Sequence, residues 1–209
     1  MDQNAAQGFF ELTHRFDEAL VYASDAHRHQ ARKGTAVPYV AHCMAAASLV
    51  LENGGGEDQA IAALLHDVVE DCGVEHEVEI RARFGAPVAD MVLACSDATP
   101  QAGEAKPPWM TRKQGYLEHL RSLEVDEPVL LVTVCDKLHN LRSIESDLEV
   151  HGPAVWERFN ADLDDQRWYY TELADVLAAR STSQAAREVA RIVARLFPPD
   201  QSVGAVASD

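Results

Sequence analysis

The segment Ala60 to Asp71, AIAALLHDVVED, constrains this chain more than any other stretch. Its apolar positions, Ile61, Ala62, Ala63, Leu64, Leu65, Val68 and Val69, run almost all the way round a helix, and such a helix has to be buried. Yet it ends in His66, Asp67, Glu70 and Asp71, which at roughly 100° per residue share an arc of about 140°. Burying three carboxylates and an imidazole is costly unless their charge is compensated. A divalent metal compensates it economically, because His and Asp are ordinary ligands for one. A helix end whose polar residues face solvent is the alternative that this stretch alone leaves open.

The remaining chain reads as helical throughout. Phe9 to His29 carries Phe9, Leu12, Phe16, Leu20 and Ala23 at helical spacing. The basic loop QARKGTAVPY follows, and Pro38 suits the first turn of a second helix running through His42 to about Glu52. Asn53 and three glycines break it, and the Ala60 helix stops at Gly73. Short helices are expected over Glu75 to Phe84, with Gly85 as cap, and from Pro87 to about Ser96. A Pro-containing loop spans Asp97 to Met110, and Thr111 is the expected cap of the next helix. Pro128 opens a long helix. Further helices carry Trp168 to Leu177 and about Thr182 to Phe197, and residues 198–209 read as a disordered tail. Residues 1–197 therefore form one all-α domain of about eight to ten helices.

With 209 residues, 47% of them hydrophobic, the chain can bury a sizeable core. Its net charge of −16 argues against nonspecific nucleic-acid binding, though a local basic pocket can still take a small anion. No basic segment precedes an apolar run at the N-terminus, and no run is long enough for a membrane span, so a cytoplasmic protein is expected. Cys43, Cys72, Cys95 and Cys135 are scattered without a CxxC pair and read as reduced thiols.

Ionisable residues stand where apolar ones are expected at His42, at His66 and Asp67, and at Asp136 within VLLVTVCDKLHNLR. Two imidazoles and two carboxylates make a sensible ligand set for manganese or a similar ion, with positions left for water. Taken singly, His42 suits a structural core residue and Asp136 a solvated helix face. Glu70 and Asp71 lie one turn beyond His66 and Asp67, and Asn140 lies one turn beyond Asp136.

The order H…HD…D resembles the HD superfamily of metal-dependent phosphohydrolases, an all-α fold. More closely, ARKG with PYVAH, then ALLHDVVED, then CDKLHNLR is similar to the alarmone hydrolases of the RelA/SpoT type, and above all to their stand-alone small members. The likeness runs from about Ala23 to Arg142. It implies that His42, His66, Asp67 and Asp136 hold one divalent metal, most simply Mn²⁺. It implies that Glu70 and Asp71 position and activate the attacking water, that Asn140 contacts the nucleoside, and that Arg32 and Lys33 touch phosphate or base. Lys106 and Arg112 are further candidates for phosphate contact. His139 lies on the Asp136 face without an assigned role. His27, His29 and His151 are expected at the surface, and Trp168, Tyr169 and Tyr170 in the core. Thr133 to Asp136 departs from the Lys-Leu-Ala-Asp of the long bifunctional members, and a hydrolase without a synthetase domain after the hydrolase segment is expected.

The reaction expected from the resemblance is hydrolysis of the 3′-pyrophosphate of (p)ppGpp to GDP or GTP and pyrophosphate. The alternatives are an HD-type hydrolase acting on (p)ppApp, the 2′-phosphate of NADPH or a nucleoside monophosphate, and a non-catalytic alarmone-binding protein. The partner is a small nucleotide, with no nucleic acid and no membrane, and a homodimer is left open.

Overall fold

A computed structural model describes residues 11–97 and 105–198. Among these, ten α-helices and one seven-residue 3-10 helix make an all-α fold, and the one β-type contact is an isolated antiparallel bridge between Ala31 and Pro38. The helices are α1 His14–Ala26, α2 Val40–Glu52, α3 Glu57–Leu65, α4 Val68–Cys72, α5 His76–Phe84, α6 Ala86–Cys95, α7 Trp109–Ser122, α8 Pro128–His151, α9 Leu163–Arg180 and α10 Gln184–Leu196. The 3-10 helix Gly152–Arg158 joins α8 to α9.

The centre is α3. Every residue from Ala60 to Leu65 is fully buried, and the helix packs against α1, α2, α6 and α8. Burial of each Leu or Ile side chain contributes about 2 to 3 kcal/mol from the apolar area removed from water. The long α8 crosses behind it, touching α2, α3, α6 and α10. Local chemistry sets the ends. Thr13, Asp162 and Ser183 cap α1, α9 and α10 by accepting a backbone N–H of the first turn. Pro128 starts α8 at a position whose N–H needs no partner. Gly73 ends α4 at φ 135°, a conformation closed to residues with a Cβ.

Several boundaries differ from the sequence reading. The stretch through His66 to Asp71 is not one continuous helix. It turns at His66 and Asp67, between α3 and α4, although both residues keep right-handed backbone angles. The Ala63 carbonyl, which a continuous ladder offers to the Asp67 amide, accepts from Nδ1 of His66 at 2.8 Å. Pro38 lies outside α2, because it pairs with Ala31 across the preceding loop. Helix α7 starts at Trp109 after Pro108, so Thr111 sits inside its first turn and caps nothing. Helix α1 begins at His14, while Phe9 and the expected tail from residue 199 onward lie outside the described residues. All four cysteines are free, three of them buried and Cys72 half-buried.

Candidate metal centre

Four donor atoms from three elements converge where α2, the α3–α4 turn and α8 meet. His66 Nε2 lies 2.9 Å from Asp67 Oδ2, 3.2 Å from His42 Nε2 and 3.4 Å from Asp136 Oδ1. His42 Nε2 lies 3.1 Å from Asp136 Oδ1 and 3.7 Å from Asp67 Oδ2. A metal with ligands at about 2.1 Å holds neighbouring donors about 3.0 to 3.4 Å apart. The donor atoms of His42, His66 and Asp67 all lie within 4.8 Å of one another, close enough to gather on one small cation, and Asp136 Oδ1 adjoins the two histidines. His42, His66 and Asp136 are buried and Asp67 is half-buried.

The chemistry of the donors agrees with their spacing. A carbonyl can only accept, so His66 Nδ1 carries the hydrogen that reaches Ala63, and in the neutral ring Nε2 presents a lone pair. Burial disfavours a charged His66 ring. Asp67 and Asp136 outweigh that and hold its proton affinity well above the ordinary histidine range. Burial keeps His42 neutral, against the pull of Asp136. Both carboxylates are held low although burial opposes it, Asp67 chiefly by His66 and Asp136 chiefly by Lys137 and His66. The pocket thus attracts positive charge and already carries the ionised carboxylates a metal needs.

A second ring of groups fixes these donors. Tyr39 donates its hydroxyl to Asp67 Oδ2 at 2.5 Å. His139 Nδ1 lies 2.7 Å from His42 Nδ1. Lys137 Nζ stands 2.7 Å from Asp136 Oδ2, and Asn140 donates its amide to Asp136 Oδ1 at 2.7 Å. The sequence reading assigned no role to Tyr39, Lys137 or His139. Tyr39 is three residues before His42 and His139 three after Asp136, one helical turn in each case, which is the spacing that could have pointed to them.

The remaining candidates divide into two groups. Arg32, Lys33 and Asn140 border a cavity of about 560 Å³ that reaches His42 and His139. Arg32 donates to Asn140 Oδ1 at 2.6 Å and lies over the Tyr39 ring, while Lys33 donates to Asn160 Oδ1 at 2.7 Å. Lys106 and Arg112 do not border that cavity. Lys106 pairs with Glu70 Oε1 at 3.1 Å, and Arg112 pairs with Asp97, which Lys113 also holds at 2.6 Å. Glu70 and Asp71 diverge from each other. Glu70 accepts from the Asp97 backbone N–H at 3.3 Å, and burial together with Asp97 raises its proton affinity, against Lys106. Asp71 is exposed and accepts from the Gln30 amide at 2.8 Å.

His27 is not a surface residue: it is 2% exposed, its ring 4.7 Å from that of Tyr39. His29 and His151 are exposed as expected. Tyr169 and Tyr170 are buried and Trp168 is half-buried against Trp109, which agrees with a packing role.

A helical fold that closes on two histidines and two aspartates, one His-Asp pair being consecutive, defines an HD domain. The HD domain family matches residues 19–163, and the chain belongs to that family, whose members are metal-dependent. It is 35% identical over 131 residues to guanosine-3′,5′-bis(diphosphate) 3′-pyrophosphohydrolase MESH1 of Xenopus tropicalis, a span covering 61% of this chain and 68% of that protein. It is 30% identical over 136 residues to the bifunctional (p)ppGpp synthase/hydrolase SpoT of Escherichia coli, covering 63% of this chain but 18% of that much longer protein. Among solved structures, it superposes with a TM-score of 0.70 and 26% identity on a metazoan ortholog of SpoT that hydrolyses ppGpp, covering 90% of this chain and 98% of that one. A Listeria monocytogenes protein gives a TM-score of 0.64 at 30% identity, over 76% and 99% of the two chains. No helix among the described residues is long and apolar enough to cross a membrane.

Proposed function

We propose that this chain hydrolyses the 3′-pyrophosphate of (p)ppGpp, giving GDP or GTP and pyrophosphate, with one Mn²⁺ held by His42, His66, Asp67 and Asp136. The observation that carries the reading is the cluster of His42, His66 and Asp67, with Asp136 against both histidines, next to a cavity that His42 borders together with Arg32, Lys33 and Asn140. Relatives named for this reaction supply the substrate class.

When bound, the ion supplies a Lewis acid that polarises the phosphoryl oxygens and lowers the pKa of water. The rest is the work of side chains. Asp71 takes the proton of the attacking water, whose oxygen bonds to the phosphorus attached to O3′. The P–O3′ bond breaks, and O3′ leaves as a hydroxyl after taking a proton. Glu70, whose proton affinity burial raises, is suited to give that proton. Arg32 and Lys33 neutralise substrate charge in an otherwise acidic protein, and the Asn140 amide reads the nucleoside because it both donates and accepts. Lys106 and Arg112, which face Glu70 and Asp97, receive the departing pyrophosphate.

The test is turnover after chelation and readdition of Mn²⁺, with ppGpp, ppApp and NADPH offered separately. Release of GDP and pyrophosphate by the wild type, and none by the His66→Ala/Asp67→Ala double variant, is expected. Full activity in the double variant overturns the metal site. Turnover of another nucleotide in place of ppGpp overturns the substrate while leaving the site.

A further inference from the structure

Asp71 is the exposed member of the acid–base pair, and an exposed carboxylate is free to turn. Among the described residues one side-chain hydrogen bond restrains it, from Gln30 Nε2 to Asp71 Oδ2 at 2.8 Å. The other end of the same amide lies 2.7 Å from Nδ1 of the buried His27, Gln30 presenting Oε1. The direction of this chain follows from chemistry. A carboxylate accepts only, so Gln30 must turn its NH₂ to Asp71. Its carbonyl oxygen then faces His27 and can only accept, so His27 carries its hydrogen on Nδ1.

His27 keeps this arrangement at a cost. Among the described residues its buried Nε2 has no hydrogen-bond partner, so what holds the ring there is not the pairing of both nitrogens. The ring packs against Tyr39, whose hydroxyl binds Asp67. The backbone fixes Gln30 from both sides. Its N–H donates to the His27 carbonyl at 3.0 Å, and its carbonyl accepts from the Tyr39 N–H at 2.9 Å. The loop between α1 and α2 thus carries one side chain to a proposed metal ligand and another to the proposed base.

We infer that Gln30, anchored by His27, is a positioning residue that pins one oxygen of Asp71 and leaves the other to take the proton of the attacking water. This rests on the reading of Asp71 as the base. Gln30 itself touches neither the four donors nor the reacting atoms.

The experiment measures kcat, KM for ppGpp and Mn²⁺ affinity on the full chain for Gln30→Leu, Asp71→Asn, their double variant, His27→Leu and His27→Asn. Gln30→Leu is expected to lower kcat about 10- to 100-fold, with KM within about twofold and Mn²⁺ affinity unchanged. In the Asp71→Asn background the same change is expected to add nothing, because the group it positions is gone. His27→Leu is expected to follow Gln30→Leu, and His27→Asn, whose amide nitrogen can stand in for Nδ1–H, to recover most of the rate. Wild-type kcat in Gln30→Leu, or an undiminished effect in the Asp71→Asn background, overturns the inference and leaves the Asp71 reading intact. Wild-type kcat in Asp71→Asn overturns that reading, and this inference with it.

Discussion

Nδ1 of His139 lies 2.7 Å from Nδ1 of His42, while Nε2 of His42 faces Asp136. For Nε2 to offer a lone pair to a metal, His42 Nδ1 must hold the hydrogen and donate it to His139. One imidazole therefore sets the tautomer of the other. Replacing His139 by Leu is expected to weaken Mn²⁺ binding about 10- to 100-fold without removing a ligand. Calorimetric titration with Mn²⁺ reads this directly, and unchanged affinity would refute the orienting role.

Tyr39 does for Asp67 what His139 does for His42. Burial and the Asp67 charge hold its phenol well above the ordinary range, so it remains a donor at any working pH. A hydrogen bond to a charged group is worth about 1.5 to 3 kcal/mol. Tyr39→Phe should lower kcat/KM about tenfold, in line with loss of an orienting partner. Normal kinetics in a well-folded variant would count against it.

Lys137 and Asp136 form an ion pair at the inner edge of the centre, their side chains 15% and 4% exposed. Removing the cation by Lys137→Met breaks a buried ion pair and leaves His66 as the main charge compensating Asp136, at a cost of up to about 3 to 5 kcal/mol. For a chain of this size the metal-free protein should melt roughly 6 to 20 °C lower. Mn²⁺ should stabilise the variant more than the wild type, since the ion then neutralises Asp136. Equal Mn²⁺-induced shifts in scanning calorimetry would contradict this.

Burial, His42 and Arg32 push the His139 imidazole down from 6.5 to about 4. As pH falls below 6.5, the unfolded chain takes up a proton there that the folded chain refuses until about 4. The unfolded state binds more protons across that window, so this residue makes stability fall as pH falls. In urea denaturation with chelator present, wild type should lose stability more steeply between these limits than His139→Asn. Parallel slopes would show that the ring is not held neutral by the fold.

The helical class, the buried character of Ala60 to Leu65 and the candidacy of His42, His66, Asp67 and Asp136 were all legible in residue order. The first two rest on patterns within one element, such as apolar residues all round a helix, whereas the candidacy of the four donors rests on their order along the chain, H…HD…D, each standing where an apolar residue is expected. The turn at His66 was not legible, because it depends on a side chain competing for the Ala63 carbonyl rather than on composition. Nor was the burial of His27, which sits in a polar stretch and is covered by Tyr39 from beyond the loop. The links from Tyr39 to Asp67, Gln30 to Asp71 and Arg32 to Asn140 join residues 28, 41 and 108 positions apart. Helical spacing speaks only for neighbours one turn away. Which distant side chains orient the donors is decided by how α2, the α3–α4 turn and α8 pack together.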